Sequence, residues 1–166
     1  VLSYAVDGDR LRATGSAPAG GGPCHLVVGP GTGGGTVVVA NYGSGEVTTH
    51  GTNGDGSLDG RSANVPGHGS GPRQDRQEGP HAHAVALAPD GTVLSTDLGA
   101  DLLRAHRLLD DGTLRPIADI TLPAGSGPRH LVVHPDGTVL VLTELARTVV
   151  ALTPGADYTD LRVRAE

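Results

Sequence analysis

Apolar and polar residues follow one another along this chain in short runs, and almost none of the chain has the period of an amphipathic helix. The runs are three to five residues long, rich in β-branched side chains, and bounded by Gly, Pro and Asp. Runs of this kind between turn residues are typical of β-strands. The pattern therefore predicts an all-β protein, with strands at residues 26–28, 36–40, 85–87, 92–95, 131–133, 138–142 and 148–152.

The predicted strands belong to a repeated unit. Residues 22–28 (GPCHLVV) correspond to residues 127–133 (GPRHLVV), and residues 79–85 (GPHAHAV) lie between them. Each copy then reaches a proline, and in the second and third copies this proline opens the same Pro-Asp-Gly-Thr turn, 46 residues apart. Units of about this length with four short strands are typical of β-propeller blades. The repeat therefore predicts a β-propeller of four-stranded antiparallel blades.

The repeat also predicts where the blades begin and end. We expect residues 1–22 to hold an edge strand of a preceding blade and a linker, residues 23–78 and 79–126 to form one blade each, and residues 127–166 to form an incomplete blade. This is about three to four blades, whereas closed propellers have about four to eight. Together with the absence of methionine, the count predicts a fragment of a longer ring.

Within these blades, the remaining strands and the loops follow from the same pattern. Third strands are expected to begin near Val47, Leu102 and Thr148, and fourth strands at residues 119–122 and 161–163. No apolar period runs through residues 29–35 or 50–79, so both stretches are predicted to be loops.

Composition excludes several classes of partner. The formal net charge is −6, and all 12 basic residues are arginine. A nucleic-acid or anionic-membrane surface would need a basic patch, and no apolar run approaches the roughly 20 residues of a membrane-spanning helix. The single cysteine, Cys24, excludes an intrachain disulfide and a multi-cysteine zinc site. We therefore expect a cytoplasmic protein that binds a small molecule, and its oligomeric state stays open.

Aligning the units on their turn prolines places polar residues in two columns. The first column lies six residues before each proline, and the second lies at the end of the next strand; they contain Cys24, His83 and Arg129, and Asn41, Asp97 and Glu144, respectively. Equivalent positions of successive blades face the same central channel, so His83, Arg129 and Glu144 are expected to converge, with Asp97 nearby. An imidazole, a guanidinium and a carboxylate together could provide acid/base chemistry and stabilise an oxyanion.

Structural roles are the alternative for several of these residues. A histidine at the start of a strand is commonly a capping or packing residue, which is the interpretation favoured for His25, His130 and His134. Asp97 and Asn41 could hydrogen-bond adjacent blades together. Glu144 stands out because a carboxylate between strand-like runs normally has a partner.

Cofactor motifs are absent or incomplete. Residues 29–34 match the spacing G-x-G-x-x-G, but a strand follows them where a dinucleotide site needs a helix N-terminus. A Walker-type phosphate loop requires lysine, which the chain lacks. His81 and His83 could share one strand face, but no third ligand stands at a fixed offset, so neither a metal nor a cofactor is predicted.

Several segments resemble the seven-bladed propeller lactonase family. They are residues 79–83 (GPHAH), 97–99 (DLG), 125–135 (GSGPRHLVVHP) and Glu144-Leu145, with residues 23–26 and 39–45 similar to the preceding blade. The family includes bacterial 6-phosphogluconolactonase and the fungal carboxy-muconate lactonizing type. The resemblance implies a metal-free site in the central cleft, with catalytic positions at His83, Arg129 and Glu144. Asp97, His81 and His130 are the candidates for contacting substrate.

The implied reaction is hydrolysis of a sugar-acid lactone, with 6-phosphoglucono-δ-lactone as the first substrate to test. Glu144 or His83 would take a proton from water while the other protonates the leaving oxygen, and Arg129 would stabilise the oxyanion or hold an anionic group of the substrate. Two alternatives stay open: lactonization of a carboxy-muconate-like dicarboxylate, and a non-catalytic propeller fragment.

Overall fold

The computed structural model describes residues 1–165, in which antiparallel strands form a hairpin and three four-stranded sheets. The hairpin contains β1 (Leu2–Asp7) and β2 (Arg10–Ser16). The first blade contains β3 (Pro23–Gly29), β4 (Gly35–Asn41), β5 (Glu46–Thr52) and β6 (Leu58–Val65). The second contains β7 (Ala82–Leu87), β8 (Thr92–Asp97), β9 (Leu102–Leu108) and β10 (Leu114–Thr121). The third contains β11 (Pro128–Val133), β12 (Val139–Thr143), β13 (Thr148–Pro154) and β14 (Leu161–Ala165).

Each blade is a meander in which every strand pairs with the next one along the chain. The prediction of an all-β fold with four-stranded antiparallel blades is confirmed. The innermost strands β3, β7 and β11 pack side by side, and the outer strands β6 and β10 also meet. Such radial packing of successive sheets is the architecture of a partial β-propeller.

The prediction of a loop over residues 50–79 is wrong for its first part. Residues 50–52 end β5, and Leu58–Val65 forms β6, the fourth strand of the first blade. This strand lacks an apolar run because it lies at the outer edge of the blade, where its residues alternate between half-buried and exposed. Pairing with β5, such as Val47 opposite Val65, determines its conformation.

Two other stretches also differ from the expectation. Residues 1–22 hold a complete hairpin where one edge strand was expected, and the third blade has four strands within residues 128–165. Glu166, the last residue of the predicted third blade, lies outside the described residues.

The core lies between the blades. One apolar cluster fills the space between the first and second blades, and another fills the space between the second and third. In β8, Val93 belongs to the first cluster and its neighbour Leu94 to the second, because successive strand residues point to opposite faces of a sheet. The second blade is therefore buried on both faces, and its position relative to the other two is set by both clusters.

A buried carboxylate joins the second blade to the third. Asp101, in the turn after β8, has a φ of 55° and is almost fully buried. Its Oδ1 accepts hydrogen bonds from the Gly127 backbone N at 2.8 Å and from Gln77 Nε2 at 2.8 Å, while Oδ2 accepts one from Gly125 N. These bonds fix the segment that leads into β11.

No helix in residues 1–165 is long and apolar enough to cross a membrane.

Candidate functional site

A β-bulge at the start of each innermost strand positions the first column of polar residues. In the strand pairings, the register shifts around one residue of β3, β7 and β11, and these unpaired residues are Cys24, His83 and Arg129. Bulges redirect side chains and are common beside active sites. The column predicted from the proline spacing therefore has a structural cause that the three blades share.

The second predicted column needs a correction at Glu144. Asn41 and Asp97 lie opposite the first residue of β3 and β7, and the residue opposite Pro128 in β11 is Thr143. Glu144 is one residue further along, which makes it equivalent to Tyr42 and Leu98. The left-handed turn residues Gly45, Asp101 and Arg147 show the same alignment. The one-residue difference in spacing is thus a change of strand face, because neighbouring residues of a strand point in opposite directions.

Asp97 consequently lies outside the cluster that was expected to include it. Its side chain is buried, with Oδ2 held by Arg104 Nη2 at 2.8 Å and Oδ1 accepting from the His81 and Gly99 backbone N–H groups. Both carboxylate oxygens are occupied within the second blade and its entry loop. The contacts give Asp97 a structural role, and it presents no free oxygen to a substrate.

Asn41 also makes its bonds inside its own blade, to Val39 O, Glu46 O and Thr48 Oγ1. The hydrogen-bonded tie between blades that was considered for Asp97 and Asn41 is made by Asp101 instead.

His83, Arg129 and Glu144 do converge. Arg129 Nε donates a hydrogen bond to His83 Nε2 at 3.1 Å and lies 3.1 Å from Glu144 Oε2. The other carboxylate oxygen, Oε1, accepts a hydrogen bond from Arg76 Nη2 at 2.6 Å. The four side chains form a row, Arg76–Glu144–Arg129–His83, in which the single carboxylate lies between two guanidinium groups.

This row determines the protonation states of its members. The hydrogen bond from Arg76 is the main reason that the pKa of Glu144 lies below its ordinary value, and Arg129 and His83 lower it further. Burial lowers the pKa of His83, and the charge of Arg129 adds to this effect. Glu144 is therefore ionised and His83 neutral at pH 7. Because His83 Nε2 accepts from Arg129, its proton is on Nδ1, which is buried without a hydrogen-bond partner in residues 1–165.

Aromatic rings and imidazoles surround this row. The Tyr42 ring stacks on His81 with centroids 4.5 Å apart and meets His83 edge-on at 5.5 Å. His130 lies on the other side of His83, with centroids 5.4 Å apart, and is followed by His25 at 6.1 Å. His81 is fixed by Nδ1, 2.9 Å from Tyr42 O, and by Nε2, 3.2 Å from Glu78 Oε1. His81 and His130 thus border the row, and their contact with a substrate stays a prediction.

Cys24 occupies the bulge of the first blade, and its side chain contacts the backbone of His83. Its thiol lies against β7 and donates to the His83 carbonyl O at 3.2 Å. Burial of the thiol raises the pKa of Cys24, so it is a protonated donor rather than a thiolate nucleophile.

Sequence reasoning missed Arg76 and Tyr42. Tyr42 takes the same position as Glu144 once the units are aligned on their left-handed turn residues, and only the structure identifies those residues. Arg76 lies between blades, in a segment with no counterpart in the repeat, so no internal comparison could identify it. No group of three or more His, Cys, Asp or Glu side chains in residues 1–165 is arranged to hold a metal ion.

Comparison with known proteins gives a consistent result. A family model described as "Lactonase, 7-bladed beta-propeller" matches residues 1–164. A 6-phosphogluconolactonase of Bacillus subtilis is 37% identical over 135 residues, which are 80% of this chain and 38% of the relative.

Solved structures agree in fold. A Lactobacillus plantarum protein superimposes with a TM-score of 0.90 at 29% identity, over 99% of this chain and 48% of its own. The Pseudomonas aeruginosa periplasmic gluconolactonase gives a TM-score of 0.80 at 28% identity, over 99% of this chain and 48% of its own. The chain spans less than half the length of each of these three proteins.

Proposed function

The chain belongs to the seven-bladed β-propeller lactonase family, and from this we propose that it supplies His83, Arg129 and Glu144 to a site that hydrolyses a sugar-acid lactone. The resemblance drawn from the repeat is confirmed at the level of the family. The proposed substrate is 6-phosphoglucono-δ-lactone, because the Bacillus subtilis relative is named 6-phosphogluconolactonase. The catalytic proposal rests on the contacts of Arg129, which lies against the neutral imidazole of His83 in the second blade and the ionised carboxylate of Glu144 in the third.

Lactone hydrolysis needs three functions at one place. A base takes a proton from water as its oxygen bonds to the carbonyl carbon, a positive group stabilises the charge on the carbonyl oxygen, and an acid protonates the ring oxygen when its bond to carbon breaks. His83 and Glu144 are the side chains that can accept or donate a proton, and Arg129 can stabilise the negative charge on the carbonyl oxygen. Its terminal nitrogens make no hydrogen bond within residues 1–165, so its planar fork is available to the substrate.

We assign the base role to His83. Two guanidinium groups stabilise the charged form of Glu144, which weakens it as a base. The neutral imidazole of His83 has its lone pair on Nε2, which takes a proton once the N–H group of Arg129 that it accepts from turns to the substrate. The imidazolium that forms would then protonate the leaving ring oxygen. Glu144 keeps Arg129 beside His83 and balances the new positive charge.

The test is hydrolysis of freshly generated 6-phosphoglucono-δ-lactone, followed by the appearance of 6-phosphogluconate. The chain is assayed by itself and, where the coding sequence continues, within the longer polypeptide. H83Q should reduce kcat/KM about 100-fold or more, since acid/base groups typically contribute this much. E144Q should also reduce kcat/KM strongly, because Arg129 loses the carboxylate that keeps it beside His83. The control is H134Q, which alters an exposed histidine in the turn after β11 and should hydrolyse the lactone at the wild-type rate.

The pH dependence provides a second check. Because His83 must be neutral to act and burial lowers its pKa, kcat/KM should fall with decreasing pH only below the ordinary histidine range.

Near-wild-type turnover in E144Q would reject the site. Hydrolysis of a different sugar lactone would change only the substrate, lactonization of a dicarboxylate would favour the other family reaction, and no turnover of either class would favour a non-catalytic role.

A further inference from the structure

Arg76 reaches the site from outside the blades. It lies in the segment between β6 and β7, yet its Nη2 is 2.6 Å from Oε1 of Glu144 in the third blade. Both side chains are partly buried, with 38% and 29% of their surfaces exposed. The hydrogen bond to Glu144, and a second one to Tyr42, raise the pKa of Arg76. An exposed ion pair typically contributes about 0–1 kcal/mol to stability, so the interest of this pair lies in what it positions.

Hydrogen bonds hold the backbone around Arg76 in place. The N–H groups of Arg76 and Gln77 both donate to Arg73 O, at 2.9 and 2.6 Å, which closes a turn. The Gln77 side chain is fully buried, and its Nε2 donates to Leu98 O at 2.9 Å and to Asp101 Oδ1 at 2.8 Å. The segment is thereby anchored to the second blade at Gln77, the residue immediately after Arg76, while the Arg76 side chain reaches Glu144 in the third blade.

The anchor also connects to the strand that carries Arg129. The Oδ1 atom of Asp101 that accepts from Gln77 also accepts from Gly127 N, two residues before Arg129. The backbones that bear Arg76 and Arg129 are therefore fixed to one carboxylate, and their side chains grip the two oxygens of another, that of Glu144. This double connection sets the spacing between the two guanidinium groups.

We propose that Arg76 is a positioning residue for the lactonase site: it holds Oε1 of Glu144 so that Oε2 stays on Arg129, which in turn stays on His83. The inference rests on the proposed function for its catalytic meaning, and on geometry alone for the positioning. Without Arg76, the Glu144 carboxylate can rotate about its side-chain bonds, and Arg129 loses a fixed partner. The charged and titratable groups that face Glu144 are Arg76, Arg129 and His83.

The experiment measures the Glu144 carboxyl by carbon-13 NMR during a pH titration of the full chain, with E144Q used to identify its resonance. In R76Q the pKa of Glu144 should rise toward its ordinary value, and R76K, which keeps the charge, should retain most of the lowering. The matched control is R73Q, which removes an exposed arginine from the same turn, where it lies 4.0 Å from Asp75, and should leave the Glu144 titration unchanged.

Several results would overturn the proposal. They are an unchanged Glu144 titration in R76Q, an equal change in R73Q, or loss of the folded spectrum in R76Q, which would make Arg76 a structural residue. Where hydrolysis is measurable, R76Q should lower kcat, and a rise in KM alone would make Arg76 a substrate-binding residue instead. Since the titration does not depend on turnover, absence of hydrolysis with the expected NMR shift would reject the lactone proposal and leave the positioning intact.

Discussion

Replacing His106 with leucine should make the folded protein less sensitive to acid. His106 lies in β9, where its side chain is 1% exposed and packs between the first and second blades. Its Nε2 is 2.9 Å from Ser95 Oγ, while Nδ1 is buried without a hydrogen-bond partner in residues 1–165. The ring is therefore accommodated as a neutral group.

The pKa of His106 gives the size of the effect. The pKa is lowered from 6.5 to about 4, mainly by burial and to a smaller extent by the charge of Arg104, while Asp119 partly opposes the change. In the unfolded chain the pKa returns to about 6.5, so the unfolded state binds more protons between pH 6.5 and 4. The contribution of neutral His106 to folding stability is fully present above pH 6.5 and is lost as the pH decreases through this window. The pKa difference corresponds to a loss of about 3 kcal/mol at pH 4 and about 2 kcal/mol at pH 5.

Leucine is the replacement because the chain uses it at the equivalent place. Leu152 lies opposite Val139 in the third blade, as His106 lies opposite Val93 in the second. Urea unfolding at pH 7 and pH 5, followed by circular dichroism, gives the free energy of unfolding of each protein. Between the two pH values the wild type should lose about 2 kcal/mol more than H106L.

The control V139A removes buried volume from the equivalent position of the third blade, away from His106, and removes no titratable group, so it should lower the free energy of unfolding equally at both pH values. His25, His50 and His83, whose pKa values burial also lowers, titrate in the wild type and in H106L alike, so their contributions cancel. Equal pH-dependent losses in the wild type and H106L would refute the reasoning.

Two further predictions concern backbone packing and the connection between blades. In G99A the new Cβ would overlap the Gly79 carbonyl oxygen, so this variant should unfold at a clearly lower urea concentration than the wild type. In the control G79A the new Cβ meets open space, so its unfolding midpoint should match that of the wild type. Equal urea midpoints for G99A and G79A would contradict this prediction. The D101A variant should lose about 2–4 kcal/mol of unfolding free energy because it leaves buried donors of Gln77 and Gly127 unpaired. In hydrogen-exchange measurements on D101A, the Gly127 amide should be the first to exchange faster than in the wild type. An unchanged exchange rate at Gly127 would argue against the connection between blades through Asp101.

The repeat in the sequence predicted the blades apart from β6, and it predicted three of the four side chains in the row at the site. Strand runs, turn prolines and the Gly-Pro-x-His segments are local features, and each blade is built from residues adjacent along the chain. The spacing of the prolines also located His83 and Arg129, because the same bulge occurs in successive blades.

The face on which Glu144 lies could not be settled by spacing. A shift of one residue moves a side chain to the opposite side of a sheet, and a one-residue difference between units can come from a turn or from a change of face. The strand pairing resolves this: Thr143 is the counterpart of Asp97, and Glu144 is the counterpart of Tyr42. The same alternation sends Asp97 into its own blade, where Arg104 neutralises it.

The sequence by itself determined the class of fold, the blade repeat and the residues at each bulge, because these depend on patterns within about 50 residues. Only the tertiary structure decided that Arg76 grips Glu144, 68 positions away, and that Asp101 connects the segments carrying both arginines. The contacts of Arg76 with Glu144 and of Gln77 with Asp101 join residues outside the repeat to residues inside it. Their existence depends on how the blades pack around a common axis, which no spacing along one chain can specify.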